Sequence, residues 1–338
     1  MATNVSYANA DTILEALVLH TLPDFGPHGD GITNNNFLLA MFKQNKRLRV
    51  VEGGLEFWKG VLKSGNSNAK WQGYADDMGA NLQDPSARLR FPIKTFTASV
   101  VINKLHEAQN KGRAMMKNFA QTLREQAEAT IPNEFNSAFW NTSPGTDEPE
   151  SIPNLISITP TTGTIGGLTR TGNQYLQNGV YTTAVSDIGS EAGLQALKVN
   201  QIRRAIGSGG KDIADIIIMD DDNFAGLVAF LESQRRFRNN EKMAQLDFDT
   251  IQLGKTTISY ENSIVSGSEN VITAGYVYGI NSNHMNFEVL KDGNFIWNPD
   301  GFERVGRTLN RALYFWVFCN LTTNLPKAHF VMTNVSNA

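Results

Sequence analysis

The stretch from Lys46 to Lys94 limits what this chain can fold into more than any other. Arg47 and Arg49 alternate with Leu48 and Val50, and Leu55-Glu-Phe57 resumes the alternation after Gly53-Gly54. A period of two marks an extended strand with one face buried. Ser64-Gly-Asn-Ser-Asn68 is turn composition. The return run puts Arg88, Arg90 and Lys94 on one face and Leu89, Phe91 and Ile93 on the other. The pattern predicts a long hairpin over about residues 45–95, with five cations crowded on one face. Like charges opposite one another destabilise a strand pair unless carboxylates meet them. The hairpin also holds too little apolar surface to fold on itself, so it is expected to lie on another subunit. Arg47, Arg49, Arg88, Arg90 and Lys94 are therefore the candidate intersubunit contacts, with Glu107, Glu125 and Glu128 of a neighbour as candidate partners. This is the logic of an assembling chain rather than an enzyme.

Beyond Ile93 the phase flips, and Phe96, Ala98, Val100 and Ile102 become the apolar set. A one-residue shift means a bulge or a change of packing partner. From Asn103 to Ile131, Leu105, Ala108, Met115, Phe119, Leu123 and Ala127 recur near helical spacing, and Pro132 is expected to end that helix. Thr, Gly and Pro dominate 141–172, which reads as extended loop around Ile165-Gly-Gly-Leu-Thr169. A helix over Ser190–Ile206 leads to a compact α/β unit, with a strand at Ile213–Met219 and a helix from the Asp220-Asp-Asp222 cap to about Phe237. Two strand-rich segments follow at Thr250–Val265 and Val271–Ile280, and the last stretch, Tyr314–Val335, is apolar and aromatic. Ahead of the hairpin, Asp11–His20 reads as a short helix and Phe37–Phe42 as a second apolar stretch, together an arm that docks elsewhere.

At 338 residues the chain should hold about two domains or subdomains. The 338 residues carry 41% apolar side chains, enough for a substantial core. A net charge of -3 and a pI near 6.0 argue against a dedicated nucleic-acid binder, which usually shows a strongly basic domain. The one cysteine, Cys319, excludes an internal disulfide framework and sits among apolar neighbours as a small hydrophobe. The apolar run Ala312–Cys319 is far shorter than the roughly 20 residues of a membrane span. The N-terminus shows no basic-then-apolar secretory pattern, so the chain reads as intracellular at synthesis.

The search for reactive chemistry yields no catalytic residue, cofactor site or metal site. Asp220-Asp-Asp222 follows a strand but precedes a helix, where aspartate caps the first turn and meets the macrodipole. Gly207-Ser-Gly-Gly-Lys211 misses a phosphate loop at both ends, with Ala205 and Asp212 in the positions of the required Gly and Ser/Thr. The five histidines, His20, His28, His106, His284 and His329, are scattered singly.

With its segments in this order the chain resembles the HK97-like major capsid proteins of tailed double-stranded DNA bacteriophages. The resemblance rests on the hairpin with Trp71-Gln-Gly-Tyr74, the return strand Arg90-Phe-Pro-Ile-Lys-Thr-Phe96 feeding a long helix, Ile165-Gly-Gly-Leu168, Asp215-Ile-Ile-Ile-Met219, Gln252–Tyr260 and the closing Tyr314-Phe-Trp-Val-Phe-Cys-Asn320. It covers nearly the whole chain and implies an α+β fold. An N-terminal arm (1–44) and an extended-loop hairpin (45–95) would precede a peripheral domain (96–189) with a spine helix at 103–131. An axial α/β domain (190–300) and C-terminal strands (301–338) returning to the peripheral domain would follow. It further implies hexamers and pentamers tiling an icosahedral virion capsid, assembled in the bacterial host cytoplasm. The implied partners are copies of itself, a portal protein, scaffolding and decoration or cement proteins, and non-specifically packaged double-stranded DNA, with no membrane. Gly207, Ser208, Gly209 and Gly210 are then expected near the capsomer axis. An encapsulin-like compartment shell, and an α/β enzyme using the Asp220 region, are the alternatives.

Overall fold

Most of the buried apolar surface is gathered on two six-stranded sheets. The computed structural model describes residues 36–71, 73–74, 81–105, 113–206, 212–233, 249–261, 272–299 and 301–336, and at 113–118, 120, 124, 128 and 233 the backbone alone. The expected helix at Asp11–His20 and the glycine loop 207–211 lie outside these residues.

Helix α1 (Phe37–Gln44) begins at Asn36, whose side chain accepts the Leu39 N–H at 3.0 Å and so caps the first turn. Phe37 through Phe42 are all buried in the chain's own main core. This part of the expected arm therefore does not await another subunit.

The first sheet is organised by β15 (Asn310–Thr323), fourteen residues rich in aromatic and β-branched side chains. One edge of β15 takes β4 (Lys94–Asn103) in antiparallel register from Cys319 opposite Lys94 to Asn310 opposite Asn103. Its other edge takes β12 (Met285–Leu290), β13 (Ile296–Trp297) and β14 (Glu303–Arg304), and β1 (Leu48–Val51) adds in parallel to β12. The hairpin proper is β2 (Glu56–Leu62) with β3 (Ser86–Pro92), registered from Glu56 opposite Pro92 to Leu62 opposite Ser86. Arg47 and Arg49 thus flank or sit on the sheet strand β1 and are not part of the hairpin. Alternation fixes the faces of a strand but not its partner, and the turn at Gly53-Gly54 redirects the chain between the two.

The phase flip at Ile93 marks where the chain leaves the hairpin for the sheet. Ala87, Leu89 and Phe91 are buried before it, and Val100 and Ile102 after it, with Phe96 and Ala98 packed against the same core.

Helix α2 (Arg113–Trp140) lies on one face of this sheet, and it runs straight through Pro132. A helix-interior proline costs about 3 kcal/mol. Continuation past it buries Phe135, Phe139 and Trp140, and each fully buried apolar side chain contributes about 1.5–3 kcal/mol. Burial wins over the local rule. At the other end of the expected helix, Leu105 is exposed, so the expected apolar contact there is not made. Phe119 and Leu123 are half-buried against the core, and Ala127 is buried.

A short helix, α3 (Ile152–Leu155), precedes the small hairpin of β5 (Thr164–Ile165) and β6 (Leu168–Thr169). The second sheet runs β7 (Gly179–Tyr181), β16 (Phe330–Met332), β11 (Val277–Ile280), β8 (Ile216–Met219), β10 (Thr256–Tyr260), β9 (Ile251–Leu253). It packs with α4 (Glu191–Arg203), capped by Ser190, and α5 (Asp221–Ser233) into a second apolar cluster. Sheet membership crosses the domain limits expected at 190 and 301: β7 and β16 belong to the second sheet, β12 and β13 to the first.

The two sheets and α2 are linked by buried polar groups. Asn36 donates to the Asn136 side chain of α2 at 2.9 Å, and the Asn136 amide in turn meets Glu261 at the end of β10. Burial pushes the Glu261 carboxyl up to about 8, against the lowering effect of Asn136. The folded state therefore holds a proton that the unfolded chain, near 4.5, releases. That contribution is complete below about 4.5 and is lost as pH rises towards 8, at up to about 1.4 kcal/mol per pH unit. Glu261→Gln should flatten the fall of unfolding free energy over that interval, measured by denaturant titration at a series of pH values. An unchanged slope would show that Glu261 is not the group responsible.

Candidate assembly surface

The hairpin stem has two chemically distinct faces. On the inner face, Phe57 opposes Phe91 and Val61 opposes Ala87, all buried, and this face lies over the sheet of the same chain. Between them Lys59 reaches Glu288 of β12 in an ion pair whose side chains are 12% and 5% exposed. Glu288 sits opposite Asn320 of β15, whose amide donates to the Pro92 carbonyl at 2.7 Å and whose oxygen accepts the Glu150 N–H at 2.8 Å. The stem is therefore docked in cis, contrary to the expectation that it lacks a surface within its own chain. The signal was present in the alternation of Phe57, Lys59 and Val61. Their acceptor, Glu288, is too far along the chain for spacing to reveal.

A second clamp holds the stem from the side. The two-residue turn Gly166-Gly167, with φ of +53° and +77°, joins β5 to β6 as a type I′ turn requires. Gly166 accepts the Arg90 N–H at 3.0 Å. The segment is anchored by Arg170, fully buried, which donates to the Asn178 side chain at 3.0 Å and to the Asn154 and Leu155 carbonyls at 2.6 and 3.0 Å. Burial lowers the Arg170 pKa to about 10 against the charge of Glu150, so it stays cationic at neutral pH. A Cβ on Gly166 would lie 2.7 Å from the Leu89 Cβ in a left-handed backbone. Gly166→Ala should thus cost about 1–3 kcal/mol in thermal unfolding and loosen the stem. A variant as stable as the parent would show that the clamp is not needed.

On the outer face Arg88 and Arg90 are exposed, as the alternation requires, and both stack on Trp58. Their guanidinium carbons lie 5.5 and 5.0 Å from its ring centroid. The aromatic face takes up part of the repulsion that two neighbouring cations would otherwise feel. The other three cations point elsewhere. Arg47 donates to the Asn283 side chain, Lys94 donates to the Thr146 carbonyl, and Arg49 is exposed on β1. The five residues do not form one basic face. Of the proposed acidic partners, Glu125 is exposed on α2 and accepts from Gln121 at 2.9 Å, while Glu107 and the Glu128 side chain lie outside the described residues. Gly207, Gly209 and Gly210 also lie outside them, although Ile206 and Asp212 on either side pair through a 2.7 Å hydrogen bond.

Leu55 just before the stem, Leu62 at its far end, and Trp71, Tyr74 and Leu82 past it are exposed, the last three completely. With Trp58 they make up six of the thirteen exposed large hydrophobic residues described, all between 55 and 82. Concentrated exposure of this kind marks an interaction surface, since large apolar patches are rarely left in water.

The remaining polar clusters serve the frame. Asp220 accepts from Asn223 within the first turn of α5, and the Asp220, Asp221 and Asp222 oxygens lie within 4.8 Å of one another. At the junction of the two sheets Asp212 accepts from Asn281 and Asn283 at 2.8 and 2.9 Å and meets His284 at 2.6 Å. The other His284 nitrogen is engaged by Asn324 at 2.9 Å, so the ring has no nitrogen left to activate a nucleophile. His329 is buried, with both nitrogens engaged by the Asn281 N–H and Thr323, and burial brings its pKa down to about 3. The Cys319 thiol is buried and pushed up to about 12, which leaves it an inert core group.

No protein-family model matches the sequence, and no curated protein matches it. The fold has relatives of known structure. The capsid asymmetric unit of cyanophage A-1(L) superposes with a TM-score of 0.55 at 10% identity, over 86% of this chain and 90% of that one. The capsid of Myoviridae phage XM1 gives 0.52 at 12% identity, over 86% and 91%. The capsid of the empty GTA particle gives 0.52 at 13% identity, over 86% and 89%. The chain has the HK97-like fold of phage capsid proteins.

Proposed function

We propose that this chain is the major capsid protein of a tailed bacteriophage, assembling as hexamers and pentamers into an icosahedral shell around packaged double-stranded DNA. The observation that carries this reading is the outward turn of Leu62, Trp71, Tyr74 and Leu82 beyond a stem anchored on its own sheet. Such a hairpin projects apolar side chains with nothing of the described chain to cover them, and a repeating neighbour supplies the cover. Arg88 and Arg90 are the cations of that contact, facing carboxylates of the next copy. The sheet carrying α2 is the peripheral domain and the second sheet the axial domain, with Gly207, Gly209 and Gly210 near the capsomer axis.

The protein acts as a structural component, not an enzyme. Its partners are other copies, a portal protein and accessory scaffolding or cement proteins, and its place is the virion capsid after assembly in the host cytoplasm. A near-neutral net charge suits a container whose wall holds DNA by enclosure, since strong phosphate contacts would make release steeply salt-dependent. The test is the double variant Trp71→Ser with Leu82→Ser. We expect a folded protein, by circular dichroism and thermal unfolding, that sediments as subunits instead of particles. Particles in parental yield would remove the hairpin from the assembly contact.

A further inference from the structure

The strand β4 leaves one long edge open among the described residues. Among the described residues it pairs only with β15, and from Thr95 to Asn103 it carries neither a charge nor a proline. Its sequence there, Thr-Phe-Thr-Ala-Ser-Val-Val-Ile-Asn, is of high strand propensity, and Thr95, Thr97, Ser99 and Val101 are exposed. Soluble proteins blunt such edges with lysine, proline, a bulge or a covering element, because unpaired backbone groups recruit other strands. Lys94 and the cleft between β4 and the end of α2, walled by Glu134 and Glu148, protect only the first few residues. The far end of the edge finishes in an apolar corner where Val101, Leu105 and Leu309 are all exposed. Lys104 donates to the Leu309 carbonyl at 3.3 Å, which joins the two sides of that corner.

We propose that the open edge of β4 pairs antiparallel with β4 of a second copy, across a two-fold axis that joins neighbouring capsomers. This rests on the shell reading above. Rings closed by a head-to-tail hairpin contact need a second contact to join one another, and a two-fold, self-complementary patch is the simplest that does so. Self-pairing of β4 puts uncharged side chains opposite one another. The other outer strand of this sheet, β1, would bring Arg49 of two copies together, and like charges oppose pairing. The apolar corners would then be covered at each end of the two-fold contact.

Two measurements on the full-length protein decide it. Thr97→Cys, Ser99→Cys and Val101→Cys, made singly, should each leave particles intact. With a short bismaleimide, Ser99→Cys or Val101→Cys should give covalent dimers on a denaturing gel, while the parent, whose one cysteine is buried, should give none. Thr97→Lys with Ser99→Lys should abolish closed particles and leave separate rings. Parental particles without dimers from any of the three cysteine variants would overturn the pairing and leave the shell reading standing. Normal shells from the double lysine variant would do the same. A parent that forms neither particles nor rings of five and six copies would remove the shell reading, and the pairing with it.

Discussion

Lys59→Met should destabilise the protein by about 3–5 kcal/mol, because it leaves Glu288 buried under the hairpin stem without its cation. The loss follows from position: Glu288 is 5% exposed and faces the stem from the middle of the sheet, so water cannot replace the ammonium. The double variant Lys59→Met with Glu288→Leu should recover most of that loss, since a buried ion pair replaced by packed apolar groups is often near neutral. Equilibrium denaturation of the parent, both single variants and the double variant closes the cycle. A Lys59→Met protein within about 0.5 kcal/mol of the parent would mean that the stem is not docked on its own sheet.

Phe135→Ala should cost a similar 3–5 kcal/mol, as removal of a fully buried aromatic ring does. Phe135 stands where α2 meets the first sheet. Its ring centroid lies 4.7 Å from Phe96, 6.0 Å from Phe139 and Phe295, and 6.4 Å from Phe287. It also lies three residues past Pro132, so its burial is part of what offsets the proline's cost to the helix. Phe119, half-buried, should lose less on the same substitution. Thermal unfolding of the two alanine variants should rank Phe135 well above Phe119. The reverse order would contradict the placement of α2.

What the sequence revealed, and what it hid, follows from the range of the interactions involved. The alternation of β3, the phase change at Ile93 and the helix starts at Ser190 and Asp220 are local, and each is visible within a few residues. The partners of those strands are not local. Arg47 and Arg49 alternate as a hairpin strand would, yet β1 pairs with residues 287–290, and nothing in the alternation distinguishes the two. Pro132 misled for a related reason, because the rule for proline is local while the aromatic cluster that overrides it draws on Phe96, Phe287 and Phe295. The cis docking of the stem through Lys59 and Glu288, and the contact of Glu261 with Asn136, each join residues more than a hundred positions apart. The outward face of the hairpin was legible in its charges, while the concentration of exposed aromatic and leucine side chains beyond the stem emerged only from the fold.

The central claim is that copies of this chain close into a shell, and electron microscopy of the purified full-length protein tests it most directly. The account predicts closed, icosahedral particles of uniform size, or rings of five and six copies where closure needs an accessory protein. A population of monomers or dimers alone, at concentrations where capsid proteins assemble, would contradict it.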